Sequence, residues 1–387
     1  MLFGAVQPWV WTVYTILCYA ALALMAGEGL APVSRWWGWV AVFFFLTLIP
    51  VVPLPRALVA GLCPVRFAWL EEARMLTGEA PLCWTIGYAP RDTLAWWGFL
   101  LGLAALFAVT SRRLEDPTFA SVFLWVFFSV AVVEALYGML QALIPNLGVL
   151  WVTHTAMGNA RGTYINRNHF AGFMGMALPL LMGFALSRVR WHGRVSVKGL
   201  LHSERLHQHL LMVLALVVMA LALLFSRSRG GITGMVLGLI VFFSLVRAGA
   251  SRMPRGVWAV CGLFLVLTLV YGFQIGFQPV IDRFLQLEEG DSRLDLWRDS
   301  LPVIASHPLG IGLAAFKTVF PVYHASALSD TAAAVYLHSD VLQLVVEAGW
   351  PGAAVLMGVF VTFMAVMFRR IRAMNAEKDP RRFFLAV

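Results

Sequence analysis

Apolar residues in this chain come in long unbroken runs of about 17 to 27, divided by short polar segments. Nine such runs fall roughly at 9–26, 36–53, 94–110, 118–144, 168–187, 210–226, 230–246, 257–276 and 341–367. A run of that length is what a helix needs to cross a hydrocarbon core of about 30 Å. Backbone polar groups in lipid must be satisfied within their own segment, which selects helices over strands. The pattern therefore predicts an all-α integral membrane protein, a polytopic helix bundle of about nine transmembrane helices forming a single membrane domain over 1–387. One long helical loop, 277–340, lies outside the spans, with apolar residues at helical spacing. The first run has no basic leader or small-residue cleavage site, which argues against a removable signal peptide. The chain opens on Met1-Leu2-Phe3-Gly4 as if on the tail of a helix. It stops at Phe383-Phe384-Leu385-Ala386-Val387 as if in the first turn of another, so further spans are expected in a longer parent protein.

Composition agrees with the pattern: 60% of residues are hydrophobic and 13% charged, with a mean hydropathy of +0.79. A soluble domain of 387 residues has too little interior to hide that much apolar surface. Charge then supplies orientation. The segments 27–35, 111–117, 188–209, 247–256 and 368–382 hold 1, 2, 5, 3 and 6 lysines and arginines against six acidic residues, a net of +11. The alternating segments hold 12 basic and 13 acidic residues, and Glu134 lies within a span, which completes the formal charge of +9. The positive-inside rule puts the first set in the cytoplasm, with the amino terminus outside. The basic balance thus reflects orientation and anionic lipid headgroups, and no nucleic-acid motif or aromatic-interleaved basic stripe accompanies it. Cys18 and Cys261 lie inside spans as packing residues, whereas Cys63 and Cys83 share one external loop where a disulfide is permitted.

Against that sorting, four arginines stand on the outer side close to the membrane. Arg161 and Arg167 belong to Asn159-Ala160-Arg161-Gly162-Thr163-Tyr164-Ile165-Asn166-Arg167-Asn168-His169-Phe170, at the entrance to the fifth run. Arg227 and Arg229 belong to Phe225-Ser226-Arg227-Ser228-Arg229-Gly230-Gly231, the turn between the sixth and seventh. A guanidinium is a rigid cationic fork that matches phosphate oxygens two at a time. Gly230 and Gly231 let a ligand approach the backbone at a helix N-terminus, which itself favours anions. The alternative is that these arginines snorkel to headgroups or stop helices. In the long loop, Arg293 and Trp297 of Ser292-Arg293-Leu294-Asp295-Leu296-Trp297 are four apart on one helical face, where an arginine beside an indole suits a phosphate or a sugar ring. An amphipathic surface helix explains the same spacing.

The last run is entered through Tyr336-Leu337-His338-Ser339-Asp340. Asp340, Gln343 and Glu347 lie at i, i+3 and i+7, a polar stripe on an apolar helix, and such groups at membrane depth face a cavity or a partner. His338 at the mouth of that helix has the titration range of a general base, although a histidine there also serves as a cap. His324, Asp330, His338 and Asp340 fit no metal-ligand spacing, so no metal and no other cofactor is expected.

Aligned in order, these segments resemble the O-antigen ligase and polymerase family of bacterial envelope glycosyltransferases. The likeness rests on GTYINRNHFAG at 162–172, SRGG at 228–231, SRLDLW at 292–297, HPLGIGLAAFKTVFP at 307–321 and HSDVLQLVVEAGWPG at 338–352, from about residue 95 to the end. Ser339 and Val341 depart from the Asn and Tyr more usual in the family. The resemblance implies a metal-independent enzyme of the bacterial inner membrane with its active site facing the periplasm. Such enzymes move a glycan from an undecaprenyl-diphosphate carrier to a sugar hydroxyl, on the lipid A core in ligases or on another lipid-linked glycan in polymerases of O-antigen or exopolysaccharide. It further implies Arg229, Arg293 and His338 as catalytic residues, and the residue patterns put Arg161, Arg167, Asn168, Arg227, Gly230, Trp297 and Asp340 around the substrate. The arginines hold the diphosphate and stabilise the leaving group, and His338 activates the acceptor hydroxyl. Two other classes compete: a transporter of lipid-linked glycans and a non-catalytic scaffold. Transporters usually carry internal repeats and polar groups reachable from both sides; the chain has no repeat, and its unusual polar residues sit on one face.

Overall fold

The computed structural model describes residues 8–26, 35–79, 84–144, 146–150, 158–188, 204–247, 255–275, 292–324 and 335–376. Among these residues the regular structure is helical, without a strand. In chain order the helices are α1 (Pro8–Ala26), α2 (Arg35–Leu48), α3 (Arg56–Leu62), α4 (Pro64–Thr77), α5 (Pro90–Arg113), α6 (Pro117–Leu143) and α7 (Arg167–Arg188). They continue with α8 (Glu204–Phe225), α9 (Arg229–Arg247), α10 (Arg255–Ile275), α11 (Ser292–Ser306), α12 (Phe316–Val319) and α13 (Asp340–Ala376).

Each of the nine apolar runs coincides with a helix, but the runs are not equivalent. Five helices, α5 to α8 and α13, are long and apolar enough among the described residues to cross a membrane. In α1, α9 and α10 the apolar stretches are shorter: Val10–Leu24, Arg229–Leu245 and Cys261–Val270. The run at 36–53 is not a straight span. Helix α2 stops at Leu48, passes through a tight turn at Ile49–Val51, and the chain bends by 114° into α3. Pro50, Pro53 and Pro55 are the cause, because each removes an N–H and restricts the residue before it. If α2 and α3 count as one broken span the number becomes six. Of the long loop, 277–291 and 325–334 lie outside the described residues, and the remainder holds α11 and α12. Cys63 is a buried free thiol, and Cys83 lies outside the described residues.

Residues group into two compact units. The first contains α6 to α10 together with the end of α13. Its centre is α7 and α8: Phe170, Met174, Leu178, Leu181 and Met182 interleave with Leu216, Met219 and Leu223, all fully buried. Helix α8 packs on α6, α7 and α10, and α7 also on α9. Ala177, Ala185, Ala220 and Ala222 line these contacts and let the backbones approach, the usual basis of helix association in lipid. The outward faces carry Leu211, Leu214, Leu237, Ile240, Val241 and Val266, all exposed. An apolar stripe of that extent is lipid-facing rather than water-facing.

The second unit holds most of α1, α2 to α5, α11, α12 and the first part of α13. Its core is Val303, Ile304, Ile311, Phe316, Phe320, Leu337, Val345 and Val346. A backbone clasp holds it together. Ile311 and Gly312 donate to Val346 and Glu347 at 3.1 and 3.0 Å, Trp350 donates to Pro308 at 3.0 Å, and Tyr88 donates to Ile311 at 3.0 Å. The carbonyls of Val346 and Glu347 are available because α13 breaks at Gly349, where φ is 68° and ψ 178°. Gly310 and Gly349 meet there backbone to backbone. A Cβ on Gly310 would stand 2.5 Å from the Glu347 carbonyl oxygen, and one on Gly349 would collide with the Leu309 backbone. Both glycines have positive φ, so a side chain meets strain as well as overlap. Gly349→Ala is expected to cost about 3 kcal/mol or more. Thermal unfolding of the detergent-purified chain checks this, with Gly358→Ala, where a Cβ meets open space, as the neutral control.

Candidate functional site

Two groups of site residues are present, one in each unit.

In the first unit the loops at one end of the bundle are organised by polar residues of α6. Glu134 is buried and accepts from the Thr163 N–H at 2.8 Å and the Thr163 hydroxyl at 2.7 Å. One turn and two turns further on, Tyr137 donates to the Gly148 carbonyl at 2.9 Å, and Gln141 donates to the Gly148 and Gly162 carbonyls at 3.0 and 2.9 Å. The Gln141 side-chain oxygen accepts from Arg161 N–H at 3.0 Å. The buried glutamate thus serves backbone and hydroxyl groups of the 158–166 segment.

That segment leads into α7 through a side-chain cap, in which Asn166 Oδ1 accepts from Asn168 N–H at 2.8 Å. Arg167 is the first residue of the helix and half-buried, and Asn168 is exposed. Across the bundle end, Ala160 N–H donates to the Phe225 carbonyl at 3.0 Å, and Ser228 Oγ donates to Asn168 Oδ1 at 2.8 Å. These bonds join the NRN and SRGG motifs, sixty residues apart in sequence. Ser228 also caps α9, its Oγ accepting from Gly231 N–H at 3.2 Å.

The double glycine divides into two roles. Gly231 is a packing residue, since a Cβ there would lie 2.5 Å from Ala171 Cβ of α7. Gly230 faces open space and leaves the first turn of α9 accessible. Arg229 is the first residue of α9 and half-buried. Arg227 occupies the left-handed region with φ 54°, a position after a helix end where glycine is the unstrained choice. Neither Arg227 nor Arg229 has an ion-pair partner among the described residues, and the Nε of Arg227 is buried without a hydrogen bond. Arg161 differs: its Nη1 closes its own turn on the Ile165 carbonyl at 3.0 Å, while its Nε is also buried and unpartnered. Burial pushes the Arg161 guanidinium below its ordinary range. The arrangement offers two capped helix N-termini and cationic forks, which is the chemistry of an oxyanion receptor.

In the second unit Arg293 is the second residue of α11, and its side chain lies outside the described residues. Trp297, one turn on, packs beside the core, and its indole N–H donates to the Leu337 carbonyl at 2.9 Å. His338 follows Leu337 directly. It is exposed, and its φ of 52° again places a non-glycine residue in the left-handed region. Asp340 starts α13 and is exposed, where a carboxylate complements the helix dipole. The other two residues of the polar stripe face backbone. Gln343 accepts from Leu337 N–H at 2.9 Å and donates to Glu347 at 2.6 Å, and Glu347 accepts from Ala314 N–H at 2.9 Å.

Three histidines of this unit are distinguished by their surroundings. His307 is 1% exposed, with Nδ1 at 3.0 Å from the Val303 carbonyl and Nε2 at 2.7 Å from the Tyr88 hydroxyl. A carbonyl only accepts, so Nδ1 carries the proton and Tyr88 donates to Nε2. Burial pushes His307 down and the Tyr88 phenol up. His324 is held by Asp299 through Nδ1 at 2.7 Å and stacks on Phe320, and Asp330 lies outside the described residues. His338 is the histidine presented to solvent on a strained backbone. Sequence reading passed over Glu134, Gln141 and the His307–Tyr88 pair. The available signal for the first two was a glutamate and a glutamine seven apart within an apolar run.

Residues 214–357 match the family model described as O-antigen ligase. The matched stretch contains Arg227, Arg229, Arg293, Trp297, His338 and Asp340, and begins after Arg161, Arg167 and Asn168. No curated protein and no solved structure matches the chain.

Proposed function

We propose, on the match of residues 214–357 to the O-antigen ligase family model, that the chain is a glycosyltransferase using a lipid-diphosphate donor. The donor in this reading is a glycan on undecaprenyl diphosphate, and the acceptor is a sugar hydroxyl of the lipid A core. The acceptor oxygen attacks the anomeric carbon while the bond from that carbon to the diphosphate oxygen breaks. The hydroxyl proton passes to His338, and undecaprenyl diphosphate departs with the bonding electron pair. Arg229, with Arg227 and the first-turn N–H groups of α9, stabilises the charge growing on the diphosphate. Arg293 is counted with the catalytic residues on the family resemblance, and Arg161, Arg167, Asn168 and Asp340 belong to the surroundings of the substrate.

The observation that carries this reading is Arg229: half-buried, without a carboxylate partner among the described residues, at the start of a Ser228-capped helix and beside an open Gly230. A cation in the first turn of a helix opposes the helix dipole, so helix stability does not account for an arginine there. Charge sorting of the loops supports a periplasm-facing site in the inner membrane. Polymerisation onto a second lipid-linked glycan uses the same bond changes. The test is reconstitution of the full chain in proteoliposomes with a labelled undecaprenyl-diphosphate glycan and a lipid A core acceptor. Label appearing on the acceptor supports ligation, and label in longer lipid-linked ladders identifies a polymerase. Movement of the carrier across the bilayer with no new glycosidic bond sinks the proposal in favour of transport.

A further inference from the structure

The backbone around His338 is constrained on both sides. On the N-terminal side, Leu337 is fully buried in the core of the second unit. Both polar groups of Leu337 are taken by side chains: Trp297 Nε1–H donates to its carbonyl at 2.9 Å, and its N–H donates to Gln343 Oε1 at 2.9 Å. On the C-terminal side, α13 begins at Asp340, and the Ser339 carbonyl accepts from Gln343 N–H at 2.9 Å. His338 is left to join two fixed points, and the connection requires the left-handed conformation seen there. Such a conformation in a residue other than glycine costs about 1 kcal/mol or more and persists only where the surroundings enforce it.

Gln343 does more than accept one bond. Its amide also donates to Glu347 Oε1 at 2.6 Å, while Glu347 Oε2 accepts from Ala314 N–H at 2.9 Å. One side chain of α13 therefore ties the approach to His338, through Glu347, to the 307–315 clasp. The amide oxygen must face Leu337 and the amide nitrogen must face Glu347, an orientation fixed at both ends.

We propose that Gln343, together with Trp297, is a positioning residue for His338: the two side chains clamp the Leu337 peptide and so aim the imidazole that accepts the acceptor's proton. This rests on the assignment of His338 as base. A base must lie within hydrogen-bond reach of the proton it removes, so loosening the clamp lowers turnover while leaving donor affinity intact.

The test uses the full chain in proteoliposomes, with the labelled undecaprenyl-diphosphate glycan and lipid A core acceptor. Wild type, His338→Ala, Gln343→Met, Gln343→Glu, Trp297→Phe and the Gln343→Met/Trp297→Phe double variant are compared per folded molecule. Gln343→Met keeps volume without hydrogen bonds and is expected to lower kcat about 10- to 100-fold with KM for the donor unchanged. Gln343→Glu keeps an acceptor for Leu337 N–H and, with one proton shared with Glu347, restores most of the loss. Trp297→Phe removes only the indole N–H and lowers kcat in the same sense. Because both act on one peptide, the double variant falls no further than the worse single variant. If wild type transfers and His338→Ala does not, while Gln343→Met keeps full kcat or raises KM alone, the positioning role is overturned and the base assignment stands. Multiplying losses in the double variant also overturn it. An active His338→Ala removes the base assignment, and the positioning role with it.

Discussion

Replacing His338 with alanine is expected to reduce glycan transfer by about 10²- to 10⁴-fold, the usual contribution of a positioned general base. Membrane insertion and folding should survive, because the imidazole is exposed and outside the core. A sharper version replaces His338 with glycine. At φ 52° glycine is unstrained, so this variant should gain about 1 kcal/mol of stability while losing the same activity. Opposite movements of melting temperature and turnover mark a residue kept in a costly conformation for its chemistry. Transfer measured on reconstituted protein, paired with thermal unfolding, checks both halves. Retained transfer in the alanine variant would sink the assignment of His338.

The second large effect is expected at Arg229. Arg229→Ala should lower turnover by about 10²- to 10³-fold, comparable to removing one donor from a preorganised oxyanion site. Arg229→Lys should recover only part, since an ammonium restores charge but not the two-pronged fork. Stability should change by less than about 0.5 kcal/mol in either case, because the guanidinium has no ion-pair partner among the described residues. The contrasting control is Gly231→Ala, which collides with Ala171 and should act through folding. Equal activity of Arg229→Ala and wild type, or a large fall in melting temperature without a change in turnover per folded molecule, counts against the diphosphate contact.

Much of this architecture is legible in the apolar runs, because a membrane imposes one simple rule on backbone polar groups. Each run contains a helix. What hydropathy alone conceals is where the backbone leaves the helix: the prolines after Leu48 and Gly349 sit inside apolar stretches, and only their helix-breaking chemistry marks the breaks. Motif spacing shows which residues are chemically unusual but not what they touch. Gln343 and Glu347 read as a stripe facing a cavity or a partner; the partner is the backbone of Leu337 and Ala314. Trp297 reads as a sugar platform, and its N–H is engaged with Leu337. The double glycine reads as one device, yet Gly231 is filled space and Gly230 is open. In each case the missing information is long-range contact, which a single sequence does not encode locally. Arg227 and His338 show the complementary point: nothing in the letters predicts a positive φ at either.

The clasp between 307–315 and the Gly349 break bears on how the protein can be dissected. Hydropathy invites excision of the 277–340 stretch as a water-soluble module. Yet its amides at Ile311 and Gly312 and its carbonyls at Pro308, Ile311 and Leu313 are bonded to Val346, Glu347, Trp350, Tyr88 and Thr93, all beyond its ends. Cut free, that module would carry a row of orphaned backbone groups and half a hydrophobic core. The natural unit of study includes the first turns of the last helix and the 85–93 strap. Antibodies, binders or crystallisation partners are better raised against that larger piece than against the loop alone.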